Sequence, residues 1–196
     1  MACQFLLGGC LAIRAASREP RVSRVVAWDV LTDFQDVFVR QIPPTERLVP
    51  RLLLGAEADG IVDALASHGS HSPIQEWGMS QAMHVFGMNT PAAAIRATAS
   101  YRTEDVSPLV RQDVLLLAGA EDHYVPDHQI YDQAGWLVNA RSVTTRMFTR
   151  AENAQAHCQI GNLPLAIETI AAWIDASDVP IAAPSLTRGS RPRCLD

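Results

Sequence analysis

The run Asp113-Val114-Leu115-Leu116-Leu117-Ala118 constrains the fold most. Its side chains are apolar on both faces after the first residue, so a strand built from it must be covered on both sides. A polar loop, residues 119–126, follows, and then a predicted helix over Asp127–Leu137 with Asp127 in its first turn. A second strand is predicted at Ser142–Thr149, a loop at Arg150–Gly161 and an amphipathic, alanine-rich helix at Leu163–Trp173. The same alternation stands near the start of the chain. Leu11, Ala12, Ala15 and Ala16 give a helix over Gly8–Ala16 a face of small residues. Pro20 ends that segment by disfavouring helix at the residue before it. The β-branched run Val22–Trp28 reads as a buried strand, with Asp29 at its C-terminal end. Strands alternating with helices imply a parallel sheet with right-handed crossovers, an α/β fold. Three good strands and a stub at Cys3–Leu6 are few for a sheet buried on both faces, so part of a larger sheet is expected to be missing.

Between Val30 and Glu104 the pattern is different. Helical stretches are broken at Pro43-Pro44, Pro50, Gly55, Gly60, Gly69 and Pro91, and no clear strand is visible. This is the composition of a helical insertion between two strands. Its Trp77, Met79, Met83, His84, Phe86 and Met88 form a soft, adaptable set suited to an apolar pocket, although residues at such spacing are more often packing. The expected organisation is core at 1–29, cap at 30–104, core again at 105–175 and a mobile Pro/Ser/Arg-rich tail at 176–196.

Composition narrows the function. With 196 residues, 48% hydrophobic and 19% charged, the chain has the makings of one ordinary globular domain. A net charge of −5 and scattered arginines argue against a nucleic-acid partner. No apolar run reaches bilayer length, so no membrane partner is expected. Phe5-Leu6-Leu7-Gly8-Gly9-Cys10 has the look of a lipoprotein cleavage site, but the apolar stretch is short and no side chain before it is positive. Cys3, Cys10, Cys158 and Cys194 match neither a disulfide framework nor a metal pair, and we read them as reduced thiols of a cytoplasmic protein. His68, His71 and His84 lack carboxylates at ligand spacing, so neither a metal nor a cofactor is expected.

Sites in open parallel sheets gather beyond the C-terminal ends of the strands. Asp122 follows one strand, His157 follows the next, and Gly8-Gly9 follows the stub. An acid and then a histidine is the late part of the nucleophile–acid–histidine order of α/β-hydrolases. The stretch Gly119-Ala120-Glu121-Asp122-His123-Tyr124-Val125-Pro126 resembles that family's acid loop. Ala156-His157-Cys158-Gln159-Ile160-Gly161-Asn162 resembles the histidine loop of its branch with large helical caps, the FrsA-like esterases and 2,6-dihydropseudooxynicotine hydrolase-like enzymes. Gly8 to Ala16 resembles the helix after the nucleophile elbow, and the likeness extends from Gly8 to Asp175.

The resemblance implies a C-terminal part of an α/β-hydrolase parallel sheet with an inserted cap. It implies Asp122 as the acid that fixes the histidine tautomer and His157 as the base of a serine mechanism on a small carbonyl substrate, an ester or a carbon–carbon bond beside a carbonyl. The elbow pattern Gly-x-Ser-x-Gly-Gly, laid so that it ends at Gly8-Gly9, puts the first glycine on Gln4 and the serine on Leu6. Leu6 has no nucleophilic atom. The family's earlier strands, with one oxyanion N–H, would precede Met1. The expectation is therefore a truncated hydrolase, inactive as given, or else a binding module or gene remnant derived from one. A partner or a second copy would then cover the open sheet edge. Cys10 and Ser17 are poor substitute nucleophiles, being in or after the helix rather than at its tip. His123 and His128 read as solvent-exposed neighbours of the acid loop.

Overall fold

A computed structural model describes residues 2–5, 7–40, 59–68 and 73–177. Its strands and helices alternate as β1 (Ala2–Phe5), α1 (Leu7–Ala16) and β2 (Arg24–Trp28). Among the described residues the helices α2 (Phe34–Arg40), α3 (Asp59–His68), α4 (Pro73–Phe86) and α5 (Pro91–Thr98) come next. The chain then returns through β3 (Asp113–Gly119), α6 (His128–Trp136), β4 (Ser142–Phe148) and α7 (Leu163–Ser177). The strands make one sheet in the order β1-β2-β3-β4, parallel throughout. The parallel α/β architecture read from the sequence is the one found. The stub at Cys3–Leu6 is a strand one residue earlier, with Cys3 opposite Val26 and Gln4 opposite Ala27.

The apolar run of β3 explains the layers. Val114, Leu116 and Ala118 point to one face, with Val25 and Ala27 of β2, and meet Ala12, Ile13 and Ala16 of α1 and Ile130 of α6. Leu115 and Leu117 point to the other, with Val26 and Trp28, and meet Phe148, Ala166 and Ile170. Every residue of β3 is buried, as a strand covered on both faces requires. Trp173 and Ile174 carry the apolar stripe of α7 onward, so this helix runs to Ser177 rather than ending at Trp173. Residues 178–196, where a tail was expected, lie outside the described residues, as does His71.

The helices between β2 and β3 leave and rejoin the sheet at one place. Asp33 and Arg102 form an antiparallel bridge, Phe34 N–H donates to the Tyr101 carbonyl and Thr103 N–H donates to the Thr32 carbonyl. Two buried glutamines of α6 fasten this stalk. Gln129 Oε1 accepts from Thr32 N–H at 2.7 Å, and its Nε2 donates to the Asp33 carbonyl at 3.1 Å. Gln133 Oε1 accepts from the Thr103 hydroxyl at 2.7 Å, and its Nε2 donates to the Ser107 hydroxyl at 2.8 Å. Phe34 meets Phe86 and Tyr101 edge to face, and the latter two rings are tilted to each other at 5.2 Å, so Phe86 is packing, while Trp77 is largely exposed.

Candidate active site

Asp122 and His157 stand in loops beyond the C-terminal ends of β3 and β4, and the structure brings them together. In the acid loop, Asp122 Oδ1 accepts the N–H groups of Tyr124 at 2.7 Å and Val125 at 3.0 Å. This turn uses one carboxylate oxygen and aims the other. Oδ2 lies 2.7 Å from His157 Nδ1.

The histidine loop is shaped by its own bonds and by two glycines. Thr149 and Glu152 form a reciprocal capping box at Arg150–Glu152. The left-handed Asn153 turns the chain, and Asn162 Nδ2 donates back to the Glu152 carbonyl at 2.9 Å. A Cβ on Gly119 would sit 2.4 Å from the Gln155 carbonyl oxygen, and one on Gly161 would sit 2.2 Å from that of Asn153. Only glycine permits either approach. Glu121 N–H donates to the Gln155 carbonyl at 2.9 Å, and Glu121 pairs with Arg150, so the acid and histidine loops are closed onto each other.

A third group was not singled out by sequence. Asp29, at the end of β2, is fully buried and lies beneath the histidine. Its Oδ2 is 3.3 Å from His157 Nδ1 and accepts the Cys158 N–H. Its Oδ1 accepts from Gln159 Nε2 at 2.9 Å, and Gln159 Oε1 accepts the indole N–H of Trp28. The signal for Asp29 was its place at a strand's C-terminal end, the rule that located Asp122 and His157. Gln159, two residues past the histidine, carried no signal that separates it from a surface residue.

The charges follow from this geometry. Burial alone would push the Asp122 carboxyl up, but the His157 hydrogen bond and charge, with the two backbone N–H groups, hold it below its ordinary value. Burial alone would lower His157, but the hydrogen bond and charge of Asp122 and the charge of Asp29 raise it. Asp29 is raised, chiefly by burial and despite Gln159 and His157. With Nδ1–H given to Asp122, the neutral imidazole keeps its lone pair on Nε2, the nitrogen that can take a proton from a nucleophile.

Neither cysteine near the site is a ready nucleophile. Burial is the main reason the thiols of Cys158 and Cys10 are pushed up to about 12 and about 11. Ser17 Oγ donates to the Arg14 carbonyl at 2.7 Å. Asp29, His157 and Cys158 hold donor atoms within 4.8 Å of one another, but Nδ1 is bonded to Asp122 and Asp29 to the histidine loop, so a cation there would have to break these bonds. His123 and His128 are exposed, as expected; the His123 ring lies 5.9 Å and the Tyr124 ring 5.1 Å from that of His157. Leu6, at the expected nucleophile position, lies outside the described residues. The residue falls between the end of β1 at Phe5 and the start of α1 at Leu7.

A parallel sheet whose successive strands are followed by Asp122 and then by His157, with a helical excursion before them, has the α/β-hydrolase fold. No family model matches the chain. Among solved structures it is similar to 2,6-dihydroxy-pseudo-oxynicotine hydrolase, at 20% identity and a TM-score of 0.52, covering 86% of this chain and 37% of that one. It is similar to AbyA5, at 19% identity and a TM-score of 0.54, covering 87% and 40%. The esterase Pf2001 of Pyrococcus furiosus gives 12% identity and a TM-score of 0.54, covering 88% and 50%. A curated relative, "Hydrolase LUC6" of Fusarium sp, is 29% identical over 178 residues. That match takes in 86% of this chain but 41% of the relative, so the chain spans about two fifths of its length. Among the described residues no helix is long and apolar enough to cross a membrane.

Proposed function

We propose that the chain carries the acid and base of a serine-type hydrolase acting on an ester or on a carbon–carbon bond beside a carbonyl. Asp122 holds the tautomer of His157, and His157 takes and returns the proton. The observation that carries this reading is the 2.7 Å contact between His157 Nδ1 and Asp122 Oδ2 beyond the sheet's C-terminal edge. The hydrolase names of two similar proteins support hydrolysis, and the esterase name of a third supports an ester. Leu6 stands where the nucleophile belongs, so in this form we expect negligible turnover. A second reading, a binding module for small carbonyl compounds, draws on the same leucine.

The test is labelling with a fluorophosphonate, on the chain as it stands and on a form carrying Gln4→Gly and Leu6→Ser. The expected result is no labelling of the first, labelling of the second, and loss of that labelling with His157→Ala. Labelling of the unaltered chain at any serine would overturn the assignment of Leu6. No labelling of the restored form would favour the binding module.

A further inference from the structure

We infer that Asp29 is a second positioning acid for His157, one that shares the imidazole Nδ1 with Asp122 and anchors the loop that carries it. This deepens the hydrolase reading and takes its catalytic meaning from it, but the contact stands on the geometry alone.

Asp29 Oδ2 lies 3.3 Å from His157 Nδ1, against 2.7 Å for Asp122 Oδ2, so the two carboxylates converge on one nitrogen from the ends of β2 and β3. The Asp29 side chain is wholly enclosed and its interactions lead back to the histidine loop. Oδ2 takes the Cys158 N–H, Oδ1 takes Gln159 Nε2, and the Cys158 thiol also bonds to this carboxylate. The backbone is bent to make these contacts. Asp29, Cys158 and Gln159 all have φ near +50°, at 47°, 54° and 48°. For residues other than glycine that conformation is uncommon and is kept only where surroundings enforce it. Three such residues meeting at one carboxylate mark a constraint placed on the histidine's neighbours.

A buried acid doing nothing but bonding the backbone could be replaced by a neutral acceptor such as asparagine's amide oxygen. A carboxylate beside the imidazole does something more, since it stabilises the imidazolium that forms when the base takes its proton. The other groups facing His157 cannot do this. His123 and Tyr124 present ring faces and edges, and the Cys158 thiol is protonated at neutral pH. Two acids on one nitrogen also mean that loss of one leaves the other.

The test is an NMR titration of the His157 ring in the full chain, compared with Asp29→Asn, Asp122→Asn and the double variant. The expected order of midpoints, highest first, is the unaltered chain, Asp29→Asn, Asp122→Asn and the double variant. A folded Asp29→Asn whose midpoint equals that of the unaltered chain would make Asp29 a loop anchor only and overturn the inference. If Asp29→Asn fails to fold, Asp122→Asn decides. A midpoint there at or above the ordinary 6.5 shows Asp29 still compensating burial, and a midpoint below it overturns the inference. The titration reads no hydrolysis, so failure of the labelling experiment leaves it intact, and its own failure leaves the hydrolase reading standing.

Discussion

Single residues decide whether His157 is held. Gly119 ends β3 against the backbone of the histidine loop, where a methyl group would lie 2.4 Å from one carbonyl oxygen and 2.8 Å from the next. Neither is the tip of a flexible side chain, so the loop itself must move. Gly119→Ala is expected to cost about 1–3 kcal/mol, the range for overpacking a tight site. Thermal unfolding should show it as a lowered Tm, and the His157 ring resonance should shift toward that of an exposed histidine. An unchanged resonance would mean that the loop tolerates the methyl. Cys158 gives a second residue-scale prediction. Its thiol, pushed up to about 12 by burial and by Asp29, should react with iodoacetamide at neutral pH far more slowly than free cysteine, and Asp29→Asn should speed that reaction. Mass spectrometry of the alkylated peptide reads both rates.

At the scale of elements, α6 ties the helical excursion to the sheet. Its hydrophobic residues Ile130 and Ala134 pack on the β3 face, but Gln129 and Gln133 are also buried and serve the stalk. Gln133→Leu would remove the partner of two buried hydroxyls, those of Thr103 and Ser107. Ser107 keeps its bond to the Thr103 carbonyl, but the Thr103 hydroxyl is left unsatisfied, which is expected to cost roughly 1–3 kcal/mol before relaxation, read as a Tm lowered by several degrees. If the variant melts with the unaltered chain, the Thr103 hydroxyl finds another partner. This element also shows what a sequence can tell. The β3 run and the β2 strand were legible because a strand covered on both faces must be apolar at successive residues, not at alternate ones. Asp122 and His157 were legible from their loops and their order along the chain. Gln129, Gln133 and Gln159 were not, and Asp29 was marked only by its place at the end of a strand. Buried polar residues leave no periodic trace, and their burial depends on partners between 26 and 131 positions away. Likewise the loop after β4 was expected to be irregular, but it holds two short 310 turns fixed by Glu152 and the positive-φ residues.

For the whole molecule, the three charged groups at the sheet edge make stability depend on pH with a sign that can be worked out. His157 has a folded pKa above its ordinary 6.5, so it contributes stability that is fully present below 6.5 and is lost as pH rises through the folded value. Asp122 has a folded pKa below its ordinary 3.8, so its contribution is present above 3.8 and is lost as pH falls through the folded value. Both contributions are therefore in place between 3.8 and 6.5. Asp29 acts in the opposite sense. Its folded pKa is raised, so ionising it costs stability as pH climbs past 3.8. Above neutrality the histidine adds its own loss to that of the Cys10 and Cys158 thiols, whose folded values also lie above their ordinary 9.0 and which are the same in a His157 variant. Melting temperature should thus fall from about pH 6 to about pH 9 more steeply in the unaltered chain than in His157→Gln, which has no charge to lose. Equal slopes in the two proteins would mean that the carboxylates do not hold the imidazolium in the folded state, and the acid–histidine pairing would lose its energetic support.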